Sequence, residues 1–327
     1  MTEADNLPAW TGRRGTYEVW FLTVTDPATG DGYWIRSTLT APKAGDPSGG
    51  VWFARFDPAD PSATFGIHRA CTEWKLGSEG FAVAIGDAEV ASGLARGSLE
   101  GDGHEVRWDL QYPTGEPTYR LLPDPLYRSA LAPTKRMSPN PRTAVRGTIT
   151  VDGRTQELVE APGQQGHLSG TRHAERWAWA QCGAFVDEEA VVHALTVQSR
   201  RGPVDTPFLT SVGLRWQGRW TRLAKVRFRR DFDLGTWKID VSNRRFRVTG
   251  RIEAPADTLL RARYTDPSGG FRYCHNSEIA SCRLVLFERT ARGWQEVALL
   301  ESKGTTHAEW AGRTQARSIE REFAEVR

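Results

Sequence analysis

Alternation with a period of two most narrows what this chain can become. From His104 to Tyr112, Val106, Trp108, Leu110 and Tyr112 are apolar, while Glu105, Arg107, Asp109 and Gln111 are polar. Successive side chains of an extended strand point to opposite faces, so the segment specifies a strand with one buried side and one wet side. Val145, Gly147, Ile149 and Val151 keep the same rhythm, and Asp152-Gly153 behind them supplies a two-residue type I′ turn. Tyr17 to Val24 and Tyr33 to Leu39 read as two strands joined by the Asp26–Gly32 loop. Further strands are expected over 177–185, 191–200, 208–216, 220–229, 237–241, 246–254, 259–265, 282–288 and 294–300. Helical spacing appears once, at the end. Ile319, Phe323 and Val326 recur at i, i+4 and i+7, behind a Ser318 suited to cap them.

A chain of 327 residues is long enough for two domains, and 32 Gly with 18 Pro imply many turns. The reading is therefore an all-β protein of two consecutive antiparallel barrels or sandwiches with a short C-terminal helix. The punctuated stretch Ala161-Pro-Gly-Gln-Gln-Gly166 places the boundary between modules 1–163 and 164–327. Val145-Arg-Gly-Thr-Ile149 and Val248-Thr-Gly-Arg-Ile252 share three of five residues, a faint echo of duplication. Pro113 to Pro141 lacks periodicity and reads as a long excursion, of the kind that forms lids or spans modules.

A net charge of +3 does not favour nucleic acid. The arginines at 227, 229, 230, 244, 245 and 247 alternate with apolar residues and read as outer strand faces. Cys71, Cys182, Cys274 and Cys282 form no C-x-x-C pair. The N-terminus has no apolar run and no stretch approaches a membrane span, so a cytoplasmic protein with reduced thiols is expected. No G-x-S-x-G, Walker or dinucleotide fingerprint occurs. No cofactor and no metal site is assigned.

Thirteen Trp point to aromatic cores or the walls of an apolar ligand cavity. The run from His167 to Cys182 is the richest. As a strand it sets His173, Glu175, Trp177, Trp179 and Gln181 on one face, with small residues on the other. Glu175 or His173 is the candidate proton donor, with Trp177 and Trp179 as cavity walls and Gln181 orienting the ligand or a water. In the first hairpin, pairing would bring Glu18 and Trp20 near Trp34 and Arg36. If that face is internal, Glu18 and Arg36 must pair, because an isolated buried charge is costly. Tyr273-Cys-His-Asn-Ser-Glu278 adds Asn276 as a ligand contact, and His307-Ala-Glu-Trp310 repeats the His-x-Glu spacing. The partner implied is an apolar small molecule, either transformed or merely carried. A carbohydrate-processing β protein is the third reading, and it requires exposed Trp and two facing carboxylates.

Tyr17-Glu-Val-Trp-Phe-Leu22, Gly32-Tyr-Trp-Ile-Arg36 and His173-Ala-Glu-Arg-Trp-Ala-Trp179 together resemble the CrtC/AttH-like lipocalin family, which includes carotenoid 1,2-hydratases. The resemblance runs from about residue 10 to 312. It implies two consecutive lipocalin-like barrels, an apolar cavity, and hydration, cyclisation or isomerisation of isoprenoid, lipid or polyketide substrates without a redox cofactor. Such chemistry calls for a protonated acid in an apolar site and aromatic faces to steady a cation. The acids that follow the aromatic run, Asp187, Glu188, Glu189 and Asp205, lie in turn-rich sequence, and none stands out as a cavity acid.

Overall fold

The computed structural model describes residues 3–78, 80–122, 124–127 and 132–326. A first sheet gathers β1 (Thr16–Thr25), β2 (Gly32–Ala41), β3 (Ser48–Phe56), β4 (Phe65–Cys71), β5 (Trp74–Leu76), β6 (Ala82–Ile85), β7 (Ala88–Ala91), β8 (Leu94–Gly101), β9 (His104–Gln111), β10 (Tyr119–Arg120), β11 (Thr134–Val151) and β12 (Arg154–Gly170). The second gathers β13 (Arg176–Cys182), β14 (Ala190–Gln198), β17 (Phe208–Trp216), β18 (Arg219–Arg227), β19 (Phe232–Asp233), β20 (Thr236–Ser242), β21 (Phe246–Glu253), β22 (Leu260–Thr265), β23 (Phe271–Thr290) and β24 (Gly293–Gly312). Between β14 and β17, β15 (Arg200–Arg201) and β16 (Val204–Asp205) form a small ribbon. The chain ends in β25 (Ala324–Val326), which returns to the first sheet. Among the described residues, no helix is long and apolar enough to cross a membrane.

The two sheets are wired alike. In each, the first strand pairs with both the second and the last: β1 with β2 and β12, β13 with β14 and β24. Each long penultimate strand carries a short extra one, β10 on β11 and β22 on β23. The likeness of the two halves is thus topological, and the pentapeptide echo does not mark it. Val145–Ile149 lies in β11, the penultimate strand, whereas Val248–Ile252 lies in β21, the neighbour of the penultimate strand β23. What the two share is local. Gly147 and Gly250 sit at φ 128° and 150°, where an added Cβ would come within 2.1 Å of the Asp109 and Arg283 carbonyl oxygens. Only glycine avoids that clash at those torsions.

Both sheets roll around filled interiors. Trp20, Leu22, Phe53 and Trp108 pack inside the first; Val212, Trp237, Leu284 and Trp310 pack inside the second. Side chains also link strands that are not paired in the sheets. Arg69 Nη2 donates to the Glu100 carbonyl at 3.0 Å, and Arg227 Nη2 donates to that of Asp240 at 2.7 Å. The arginine-rich segment is largely occupied this way, with Arg245 on Glu288 and Arg247 on Asp240. All four cysteines are free. A third apolar cluster lies between the sheets and draws on both, with Tyr17, Phe21, Trp34 and Trp52 against Trp177, Trp179 and Tyr264.

Two expectations are corrected, and a third is given its structure. The expected boundary after residue 163 falls inside β12, which is paired to β1 and β11 on either side, and Gln164 and Gln165 are fully buried. The chain passes to the second sheet between Gly170 and Arg176. The C-terminal helix is also absent. Ile319 packs in the second core, Phe323 between the sheets and Val326 against the first core. Three apolar residues bound for three different places cannot share one helical face, so the tail runs extended and β25 pairs in parallel with β4. Lastly, the Pro113–Pro141 excursion holds β10, the short helix α1 (Asp124–Tyr127) and the start of β11, while residues 123 and 128–131 lie outside the described residues. It crosses to the second sheet, where Tyr119 stacks on Trp220 at 4.3 Å and Ser211 Oγ donates to the Leu121 carbonyl at 3.4 Å.

Candidate functional site

The site begins with the register of the first hairpin. Phe21 lies opposite Arg36, and Thr23 opposite Trp34. Tyr17, Val19 and Phe21 therefore share a face with Trp34 and Arg36, while Glu18 and Trp20 point the other way. A strand's side chains alternate, so a shift of one residue moves the whole set across the sheet. The expected grouping of Glu18 and Trp20 with Trp34 and Arg36 does not form. Trp20 lies in the first core, stacked on His167 at 5.2 Å, with its indole N–H donated to the Asn6 carbonyl at 3.0 Å. Glu18 accepts the backbone N–H groups of Ala9 and Trp10 at 2.7 and 3.0 Å and faces His167 Nε2 at 2.8 Å.

The other face of the hairpin opens on a cavity of about 450 Å³ between the sheets, not inside either roll. Tyr17, Phe21, Trp34 and Arg36 line it from the first sheet. His173, Trp177, Leu195, Leu209, Tyr264 and Glu309 line it from the second. Leu121, Leu122, Pro133 and Arg136 come from the excursion, which closes one side. The lining is mostly aromatic and aliphatic with a few polar groups, the composition of a small-molecule site.

His173 is buried just before β13 and stacks on Tyr17 at 4.3 Å. Its backbone N–H donates to Asp266 Oδ2 at 2.9 Å, and its Nδ1 stands 3.6 Å from the same oxygen. That is too long for a hydrogen bond but close enough for a charge to be felt. Burial lowers the His173 pKa, with Asp266 acting against it, so the neutral imidazole is favoured at pH 7. Burial alone would raise Asp266, but hydrogen bonds from His173 and Ser268 outweigh it and hold the carboxyl well below the usual carboxylate range. Trp177 donates its indole N–H to Glu309 Oε2 at 3.1 Å. Tyr264 Oη is buried without a partner among the described residues, and burial pushes its pKa far up, so it remains a phenol.

Of the sequence candidates, His173, Trp177, Trp34 and Arg36 meet at this cavity. Trp179 stands behind the wall, its ring covered by the Arg136 guanidinium at 3.7 Å. Gln181 donates to the Pro141 carbonyl at 3.1 Å, away from the lining. Glu175 does not line the cavity either: Arg272 holds its carboxylate at 3.1 Å and Arg313 flanks it. Asn276 Oδ1 accepts from Cys274 Sγ at 3.3 Å, outside the lining. Glu309, Arg136 and Tyr264 were not selected from the sequence. The His-x-Glu spacing of His307 and Glu309 was the available signal. In the fold the two separate, since His307 pairs with buried Glu278 and Glu309 reaches the cavity. Glu309 is the one carboxyl among the lining residues, so the facing pair that glycan hydrolysis needs is not assembled here.

Two rolled antiparallel sheets in tandem, with a ligand-sized chamber between them, define a lipocalin-like protein. The chain belongs to the Tocopherol cyclase-like family, whose profile matches residues 141–312. An uncharacterized protein of Mycobacterium tuberculosis, matched in two strains, is 26% identical over 314 residues, spanning 94% of this chain and 90% of its own. Among solved structures, an AttH protein of Nitrosomonas europaea superposes with a TM-score of 0.57 at 14% identity, covering 94% of this chain and 95% of that one. The structure of CghA gives a TM-score of 0.57 at 8% identity, covering 91% and 88%. At these identities the likeness is one of fold.

Proposed function

We propose that the protein binds a hydrophobic small molecule in the chamber between its sheets and performs acid–base chemistry on it, a cyclisation or a hydration. The observation that carries this reading is the single carboxyl, Glu309, set in an apolar aromatic wall within the same cavity as a neutral His173. In this scheme Glu309 delivers a proton to one end of a substrate double bond. His173 accepts the proton of the hydroxyl or water that adds at the other end. A C–H and a C–O bond replace the C=C π bond, and one proton moves from acid to base. General acid–base catalysis of this kind contributes about 10²–10⁴-fold. The cyclase named in the family description supports this class of reaction, and the carotenoid-hydratase resemblance favours an isoprenoid as the molecule hydrated.

Native mass spectrometry with organic extraction tests it, comparing wild type with Glu309→Gln. The variant should retain an apolar molecule that the wild type converts to an isomer or to a species heavier by one water. The same unaltered molecule in both proteins would instead establish a carrier.

A further inference from the structure

Two guanidiniums border the chamber, and among the described residues neither is held in a salt bridge. Arg36 is 7% exposed, and among the described residues it makes no salt bridge and its Nε has no partner. Its flat faces are taken: Tyr264, Trp34 and Trp52 have ring centroids 4.2, 5.3 and 5.4 Å from its Cζ. Arg136 lies over Trp179 at 3.7 Å and Phe21 at 5.2 Å, and its Nε and Nη2 are sealed and unpartnered. Aromatic faces satisfy a guanidinium's charge from above and below, but they do not pair the N–H donors that lie in its plane. Arg36 and Arg136 also repel each other, and among the described residues no salt bridge joins either to Glu309, the one carboxyl on the lining. Arg172, exposed at the rim, adds a third positive charge. Buried unpaired charge is strongly disfavoured, so a site of this kind is built for an anion.

We propose that the chamber's ligand is an apolar acid, a hydrophobic body ending in a delocalised oxyanion of the carboxylate or enolate type. The oxyanion lies in the plane of the Arg36 guanidinium and within reach of Arg136. The body lies along Leu195, Val197 and Leu209. This rests on the reading of the chamber as the ligand site and specifies the ligand's chemistry. It also reverses the charge expected from the family resemblance, because Trp179, one of the two rings expected to wall the cavity, already carries a guanidinium, as does Trp34.

The test is isothermal titration calorimetry at pH 8 with decanoate and 1-decanol, two probes alike in chain and different in charge. Wild type should bind decanoate about 10- to 100-fold more tightly, the range for hydrogen bonds to a charged group. Arg36→Gln should bring decanoate to the affinity of decanol and leave decanol unchanged, which also shows that the variant is folded. Arg36→Lys, which keeps the charge but not the planar fork, should retain part of the preference. Equal affinity of wild type for the two probes would overturn the anion assignment and leave the chamber standing. Binding of neither probe would overturn the chamber reading itself. The wild-type comparison requires no variant, so it stands even if Arg36→Gln fails to fold.

Discussion

The guanidinium carbon of Arg36, on the first sheet, lies 4.2 Å from the ring centroid of Tyr264, on the second. The contact crosses the chamber wall and links the two halves through a buried cation and a buried ring. In a double-mutant cycle of Arg36→Met and Tyr264→Leu, measured by urea unfolding, the pair should couple by about 0.5–2 kcal/mol. Strictly additive losses would mean that the contact contributes only bulk.

Glu309→Gln and Glu175→Gln should separate cleanly. The first removes the only carboxyl among the lining residues and should lower turnover of the natural substrate by about 10²–10⁴-fold. The second acts on a carboxylate occupied by Arg272 and Arg313, and should leave turnover within a few-fold while costing about 1–3 kcal/mol of stability. Rate measurements with paired urea titrations check both. The opposite ordering would return the catalytic role to Glu175.

Acid should destabilise the fold through His193. This imidazole is fully buried, and burial pulls its pKa down to about 3, against the opposing hydrogen bond to the Pro141 carbonyl. Above pH 6.5 both the native and the unfolded forms are neutral, and the residue contributes no pH dependence. Between 6.5 and about 3 the unfolded chain takes up a proton that the native state refuses, so stability falls as pH falls, by up to about 1.4 kcal/mol per pH unit. Urea midpoints from pH 7 to pH 4.5 should show this slope, flattened in His193→Gln. An unchanged slope in that variant would assign the acid sensitivity to other groups.

Phe323 should matter far more than a residue near a chain end usually does. Its ring packs on Trp34 at 5.5 Å and Trp52 at 5.3 Å, directly behind the chamber wall. Phe323→Ala should cost about 3–5 kcal/mol, the range for truncating a buried phenylalanine. Thermal unfolding measures the loss. A shift in tryptophan emission of the folded variant would show Trp34 or Trp52 newly wetted.

The strands were legible because alternation is a local property of the chain. Val106, Trp108 and Leu110 are buried, and the polar residues between them are exposed, as the pattern required. Asp152 and Gly153 take positive φ values of 51° and 76°, the torsions of the expected turn. His173 and Trp177 could be chosen because aromatic and titratable residues stand close together in the sequence. The wiring of the sheets, with β1 closing on β12 and β13 on β24, is not carried by any short motif.

Local pattern specifies which segments extend and which alternate side chains travel together. Where each face points is set by long-range pairing. Glu18 and Arg36 belong to strands that were correctly placed, yet cross-strand register sends one to His167 and the other to the chamber. Register depends on partners distant in sequence, and a one-residue difference inverts every side chain of a strand. Glu309 and Arg136 stand 173 positions apart and come to line one chamber only when the two sheets pack against each other. The same is true of Ile319, Phe323 and Val326, whose spacing fits a helix but whose three separate burial sites pull the tail straight.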